Sequence, residues 1–284
     1  MIWSKKNRKL LTDHPIWPFS AIMAPRGKLY VCHLIVAENE HRPSYISNSC
    51  IYLDGERELL QSEKEVKLLG VWIDNKLTFE EHIKVLLRKG NQKLHALMRV
   101  SKYMSTEKLR LLMKTFIESH FNYCPLLWMF HSRKLNNRIN SLHERALRVV
   151  YKDDNLTFEQ LLERDKSFTI HERNLQKLAI LMYKVKHKLC PQPIQDIFIQ
   201  HSNPQGLRAR DGDDLEKWLL PKARTVNYGI ETLRYRGPVV WNLIPDHIKA
   251  SKSLESFKSD IGNWKPEGCK CRLCKEYIPD LGYI

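Results

Sequence analysis

The chain has 284 residues, enough for one hydrophobic core or for one core with a smaller appendage. A hydrophobic fraction of 43% argues against a disordered protein, and 47 Lys and Arg residues against 32 Asp and Glu residues give a net charge of +15. This excess favours polyanionic partners, with nucleic acid first and an acidic membrane surface second.

No apolar run approaches the roughly 18–20 residues that a membrane span needs. The amino terminus, MIWSKKNRKLLTDH, has no apolar segment of signal-peptide length. We therefore predict an intracellular protein, in the nucleus or the cytoplasm, without a membrane segment. Seven cysteines, an odd number, favour free thiols or one metal site over a disulfide framework.

The amino-terminal part of the chain predicts a small β element. Residues 1–45 are poorly patterned and have no assignable fold, although LYVCHLIVA (29–37) is compatible with a buried strand. SCIYLDGERELL (49–60) predicts a hairpin with its turn at Asp54-Gly55. KLLGVWID (67–74) predicts a further apolar strand, so that residues 46–75 form the β element.

Residues 76–201 predict a helical domain. Thr78 and Glu81 have the spacing of a capping box, and Thr157 and Gln160 have it again. Helices are predicted after Thr78, from about residue 106, over about 132–151 and over about 170–189. In the second of these, helical spacing places five apolar residues on one buried face: Leu109, Leu112, Met113, Phe116 and Ile117.

The helix predicted over 132–151 carries many cations beside its apolar stripe. Six cations lie in and just after it, against a single acid, Glu144. A solvated face is the alternative for any charged helix, but the imbalance favours a phosphate-facing surface. The candidate nucleic-acid-binding residues are Arg133, Lys134, Arg138, Arg145, Arg148 and Lys152.

Residues 202–262 predict a connector with a short strand and helices. Residues 202–224 are rich in loop-forming residue types, and YGIETLRYRGPVVWNLIP (228–245) predicts a strand or extended segment that passes through Gly237-Pro238 into a short helix. A last helix is predicted over 253–261. The predicted fold class is therefore mainly α with a small amino-terminal β element.

The tetrapeptide Tyr151-Lys152-Asp153-Asp154 has the form of a polymerase signature in which paired carboxylates hold two metal ions. Such a pair needs a strand–turn–strand setting and a third aspartate from another strand, and neither is apparent here. The tetrapeptide follows an amphipathic helix and precedes a capping box, where aspartate is an ordinary loop residue. We predict a helix end and a loop, and assign no catalytic residue.

Residues 263–284 form a cysteine-containing tail. Cys269, Cys271 and Cys274 are spaced closely enough for their thiolates to converge on one zinc ion, which prefers four ligands in a tetrahedron. A fourth ligand would come from Cys190, His247, another chain or water. The alternative is three free thiols in a lysine-rich tail.

Two His-Glu dipeptides occur, in LHERALR (142–148) and IHERNLQ (170–176), and the zinc-hydrolase helix pattern begins with such a dipeptide. That pattern needs a second histidine four residues after the first. The positions hold Ala146 and Leu175, so this kind of zinc site is excluded.

Several strings resemble the carboxyl-terminal part of non-LTR (LINE-like) retrotransposon reverse transcriptases, over roughly residues 46–284. They are KLLGVWIDNKLTFEEHI, KLHALMRVSKYMS, NYCPLLWMFHSRKLNNRINSLHERALRVVY, TIHERNLQKLAILMYKVKH, YGIETLRYRGPVVWNLIP and CKCRLCKEYI. The resemblance implies that 46–75 is the end of a polymerase palm, with Leu69-Gly70-Val71 and Ile73-Asp74 as its closing strand. It implies that 76–201 is a helical thumb and 202–262 a connector, both tracking a primer–template duplex.

In that family the catalytic aspartates precede this strand, so the resemblance implies a reverse transcriptase fragment that binds an RNA/DNA duplex but lacks the catalytic palm. One alternative is RNA-directed DNA polymerase activity within a longer product. Another is a non-catalytic zinc-binding adaptor whose helices bind protein.

Overall fold

The computed structural model describes residues 64–198, 218 and 220–274, together with the backbone of four short strands nearer the amino terminus. The chain divides into two units, residues 1–82 and 83–284. Several predictions lie outside the described residues. They concern residues 1–45 apart from those strands, the Asp54-Gly55 turn, the loop over 202–217 and the tail beyond Cys274. The described part is mainly helical with a small β element ahead of the helices, as predicted. None of its helices is long and apolar enough to cross a membrane.

The described residues of the first unit form three antiparallel strand pairs. In the predicted hairpin over 49–60 the strands pair with Cys50 opposite Leu59. The strands are β1 (Ile22–Met23), β2 (Leu29–Tyr30), β3 (Cys50–Leu53), β4 (Glu56–Leu59), β5 (Glu65–Leu68) and β6 (Val71–Asp74).

The single strand predicted over 67–74 is wrong, because this segment folds back on itself. Strands β5 and β6 pair around a two-residue turn, with Leu68 opposite Val71. Leu69 and Gly70 have φ values of 46° and 91°, and a tight hairpin turn of this kind needs positive φ at both positions. Leu69 is 83% exposed at the turn, so an apolar run that is typical of a buried strand contains a reversal.

Asp74 organises the entry into the first helix. Its carboxylate accepts hydrogen bonds from the backbone N–H groups of Lys76, Thr78 and Phe79 at 3.0, 3.0 and 2.7 Å. The Thr78 hydroxyl, which was predicted to cap the helix, donates to the same carboxylate at 3.1 Å. The helix then begins at Glu80.

The second unit is built from helices, and those predicted from periodicity are present. All α-helices of the described residues, predicted or not, are α1 (Glu80–Val100, whose first turn belongs to the first unit), α2 (Thr106–Leu112), α3 (Ser119–Phe121), α4 (Pro125–Trp128), α5 (Arg133–Tyr151), α6 (Phe158–Asp165), α7 (Ile170–Lys186), α8 (Gln192–Gln195), α9 (Leu233–Leu243), α10 (Asp246–Lys249) and α11 (Leu254–Gly262).

Two capping boxes fix the starts of α6 and α7. Thr157 and Gln160 exchange hydrogen bonds at the start of α6, as predicted. Thr169 and Glu172 do the same at the start of α7, where the sequence has the same spacing. Each box satisfies amide donors that a helix start leaves without partners.

Helix α7 is the centre of the carboxyl-terminal core, where it packs against α9 and α11. Tyr183 of α7 stacks on Phe257 of α11 with ring centroids 4.4 Å apart, and Trp241 of α9 lies 6.0 Å from the same ring. Aromatic contacts of this size dominate the burial of apolar area in a core. The connector helices are thereby fixed on α7.

The strand or extended segment predicted within residues 228–245 is wrong. Val226–Ile230 is a π-helical turn, and Leu233–Leu243 is α9. The buried residues Gly237, Val240 and Trp241 follow helical spacing and face the core. The sequence predicts a short helix only after Gly237-Pro238, but the helix begins at Leu233 and accommodates the proline in its interior.

A matched pair of glycines tests this packing. A Cβ on Gly237 would lie 2.6 Å from Phe198 Cε1 and 2.7 Å from Met182 Sδ, whereas one on Gly262 would meet nothing within 4 Å. We expect Gly237→Ala to lower the free energy of unfolding by about 1–3 kcal/mol through overpacking. Gly262→Ala should be neutral or stabilising, by up to about 1 kcal/mol. Urea unfolding of both variants measures the difference, and equal effects would contradict the described packing.

The face predicted for the second helix is also partly wrong. Helix α2 passes directly into a π-helix, Met113–Glu118, in which each turn holds more residues than in an α-helix. The changed register turns Phe116 outward, where it is 51% exposed, and turns Glu118 inward, where it is 4% exposed. Met113 and Ile117 stay in the core as predicted.

Candidate nucleic-acid interface and metal centre

One face of α5 presents exposed cations. Lys134, Arg138 and Arg145 are exposed, at positions i, i+4 and i+11 of the helix, which lie on one side of it. Arg133 is half-buried beside them, and the first turns of α5 line a shallow surface depression formed in part by Arg133, Lys134, Asn137 and Arg138. These four predicted cations therefore border open surface.

The other two predicted cations, Arg148 and Lys152, have hydrogen-bond partners near the end of α5. Arg148 pairs with Glu144 at 2.7 Å and donates to the backbone carbonyl of Asp154. Lys152 Nζ donates to the carbonyl of Met104 at 3.3 Å. These two side chains tie the end of α5 to its surroundings.

Helix α1 carries further exposed cations, which are not among the nucleic-acid-binding residues predicted from the sequence. Residues 83–106 contain six Lys and Arg residues and no acidic residue, a signal as strong as the one used for α5. The exposed cations of α1 are Lys84, Arg88, Lys89, Lys93 and Arg99.

The two cationic helices lie against each other. A Cβ on Gly90 would be 2.5 Å from Leu142 Cδ2, so the glycine allows α1 to approach α5 closely. Arg145 Nη1 donates to Asn91 Oδ1 at 3.3 Å, and Asn91 lies one turn from Arg88. Arg145 therefore contacts α1 directly, and the exposed cations of these two packed helices are referred to as the basic surface of α1 and α5.

The polymerase-like tetrapeptide is a helix end and a loop, as predicted. Tyr151 is the last residue of α5, and Lys152 caps it with a φ of 54°. Asp153 Oδ1 accepts a hydrogen bond from the Asn155 amide at 3.1 Å, closing a local turn.

Tyr151 has a structural role beside a buried carboxylate. Its hydroxyl donates to Asp165 Oδ1 at 2.7 Å, and Arg110 Nε donates to the same oxygen at 2.6 Å. Burial and this hydrogen bond raise the pKa of Tyr151 to about 12. The motif's tyrosine joins α5 to the end of α6 and to α2.

A second buried ionic group lies where the π-helix, α5 and α7 meet. Glu118 is paired with Arg173 of α7, and its Oε1 lies 3.4 Å from His143 Nε2 of α5. Burial acts to raise the pKa of Glu118, but the contacts with His143 and Arg173 outweigh it and bring that pKa down to about 2. The carboxylate is therefore ionised and held by two partners.

The cysteine tail and α7 form a cluster that could hold a metal ion. His171 Nε2 lies 3.2 Å from Cys271 Sγ, and ligand atoms of His171, Cys271 and Cys274 lie within 4.8 Å of one another. His171 and Cys271 are buried, and Cys274 is half-buried. Two of the three predicted cysteines are thus joined by a histidine.

Cys269 adjoins the same cluster, although it is outside the group of three mutually close ligand atoms. It is buried, and hydrogen bonds with the thiols of Cys271 and Cys274 hold its pKa below the usual range. The corresponding bonds raise the pKa of Cys274. The lowered pKa of Cys269 favours its thiolate form, which is the form of cysteine that binds metal ions.

His171 is the additional donor that the structure brings to the cysteines, rather than either residue suggested by the sequence. Neither Cys190 nor His247 belongs to the described cluster. His171 is the histidine of the second His-Glu dipeptide, which has no second histidine four residues later. Its actual partner, Cys271, is 100 residues later in the chain, and no local spacing reports such a contact.

Charged residues of the connector hold the cysteine-containing loop in place. Glu231 Oε1 accepts from the backbone N–H of Arg272 at 3.1 Å and from Arg236 Nη2 at 2.6 Å. Both members of the Glu231–Arg236 pair are buried. Such contacts around a site orient the residues that ligate the ion.

No protein-family model matches this chain, no curated protein matches it in sequence, and no solved structure matches it.

Proposed function

We propose that this chain is the thumb and connector part of a non-LTR retrotransposon reverse transcriptase and that it binds an RNA/DNA duplex. The observation that carries the binding proposal is the basic surface of α1 and α5, with exposed Lys134, Arg138 and Arg145 on α5. A duplex is recognised first through its phosphates, and side chains of this kind neutralise them. The family assignment rests on the resemblance of the sequence strings.

Alanine substitution of Lys134, Arg138 and Arg145 together tests this proposal. We expect the affinity for an RNA/DNA duplex to fall roughly 10-fold or more at low salt, because phosphate contacts are lost. Fluorescence anisotropy with a labelled duplex measures the change.

The matched control removes the same charge elsewhere. Lys252, Lys258 and Lys265 are exposed in and around α11, and their combined replacement by alanine should change affinity much less. Equal losses in the two triple variants would mean that net charge alone is responsible, and the assigned surface would then be wrong.

We further propose that the cluster of Cys269, Cys271, Cys274 and His171 holds a structural zinc ion. Three thiolates and one imidazole are a common donor set for structural zinc, and four protein ligands leave no open position for chemistry. When bound, the ion would cross-link the tail to α7. Metal analysis of the purified chain tests this, with one zinc ion per chain expected.

A further inference from the structure

An exposed aromatic ring lies within the cationic surface of α1. The π-helix turns Phe116 outward, where its ring is 51% exposed. Lys93 Nζ of α1 lies 5.8 Å from the centre of this ring. An exposed phenylalanine is unremarkable alone, but here a register change in the helix presents it to a cation.

The electrostatic surroundings of the ring are positive. Burial, and then the charges of Lys89 and Lys93, lower the pKa of His120, which follows the π-helix by two residues. Glu118, the acidic residue of the same π-helix, is turned inward and is neutralised by Arg173. The register that exposes Phe116 therefore also removes a negative charge from the surface.

We propose that Phe116, together with Lys89 and Lys93, forms a stacking site for an unpaired base of single-stranded nucleic acid. Proteins that bind single strands combine aromatic rings, on which bases stack, with cations that follow the backbone. Bases inside a duplex are already stacked on both sides, so the ring discriminates in favour of unpaired nucleotides. The inference rests on the proposed nucleic-acid binding and adds a second form of ligand, which is recognised by an aromatic ring within the cationic surface of α1.

Lys93 changes its partner when a base binds to the ring of Phe116. An exposed contact between a cation and a ring is weaker than the stacking of a base. An arriving base therefore displaces the ammonium group from the ring, and the flexible lysine stem allows it to pair with the adjacent phosphate. In the free protein Lys93 therefore contacts the ring of Phe116, and in the complex the same lysine pairs with a phosphate of the ligand.

Phe116→Ala in the full chain tests the site by anisotropy with a labelled single-stranded oligonucleotide and, separately, a blunt RNA/DNA duplex. We expect roughly 10-fold weaker binding of the single strand, since stacking on one base is lost, and unchanged binding of the duplex. Phe116→Trp should keep or strengthen single-strand binding, and its indole fluorescence should be quenched by the oligonucleotide. Phe116→Leu, which is apolar but not aromatic, should behave like the alanine variant.

Leu111→Ala is the matched control, because Leu111 is 63% exposed in α2 and apolar, and it should bind the single strand like the wild type. Unchanged single-strand binding in Phe116→Ala, as expected if the ring serves a protein partner, would overturn the inference. So would rescue by leucine as complete as by tryptophan. A chain that binds the duplex but shows either result refutes only this site, whereas a chain that binds neither ligand refutes the proposed function.

Discussion

Removing zinc is expected to destabilise the carboxyl-terminal core more than loss of an ordinary surface contact would. The tail is joined to α7 through His171 and Cys271, and a ligand that binds only the folded state adds its binding energy to folding. That contribution is about 4 kcal/mol when free zinc is roughly a thousand times the Kd. A chelator should therefore lower the thermal unfolding midpoint, and returning zinc should restore it.

Substitutions in the cluster identify the ligands. Cys271→Ser and His171→Ala should each reduce bound zinc below one ion per chain and remove the effect of the chelator. Cys124→Ser is the control, because Cys124 is a free, exposed cysteine outside the cluster. This variant should keep its bound zinc and its response to the chelator. A zinc-free wild type, or a Cys124→Ser variant that loses as much metal as Cys271→Ser, would contradict the site.

Glu118→Gln is expected to have the second large effect. The substitution leaves the Arg173 guanidinium without its carboxylate in a mostly buried position, and breaking a buried pair in this way costs about 3–5 kcal/mol. Arg173 keeps 20% of its side chain exposed, so we expect the lower end of that range. Urea unfolding measures the loss.

Glu144→Gln is the matched control for this substitution. Glu144 also pairs with an arginine, Arg148, but its side chain is 31% exposed and the pair spans one helical turn. Such surface pairs contribute about 0.3–0.5 kcal/mol. Similar losses for the two variants would show that Glu118 is not held as described.

The same carboxylate should make stability depend on acid. Its pKa is about 2 in the folded chain against an ordinary value of 4.5, so its contribution is complete above pH 4.5 and is lost as the pH falls towards 2. The loss is on the order of 3 kcal/mol. Glu118→Gln lacks this contribution, so its stability should fall less than that of the wild type over this interval. Parallel pH profiles would contradict the lowered pKa.

Periodicity and capping predicted most helices because both signals are local. The apolar stripe of α5 and the Thr157–Gln160 box depend only on residues within a few turns, and the structure has both. The reversal at Leu69-Gly70 was missed because an apolar residue occupies a turn whose conformation is set by positive φ. The outward position of Phe116 was missed because an α-helical period was applied to a π-helix.

In the candidate sites, too, features set by neighbouring residues were predicted, and contacts between distant residues were not. The cations of α5 could be identified from composition, but Arg148 also donates to the loop that follows, and Lys152 donates to a segment 48 residues earlier. The cysteine spacing indicated three ligands in the tail. The additional donor, His171, is brought to them by the packing of the tail on α7, which no motif encodes.

The salt dependence of duplex binding tests the central claim most directly. If the basic surface of α1 and α5 binds phosphates, the logarithm of the association constant should fall linearly with the logarithm of salt concentration. The expected slope is about −3 or steeper for three or more phosphate contacts, and it should become shallower by about 0.9 for each contact removed. A slope near zero, or no binding at low salt, would contradict the account.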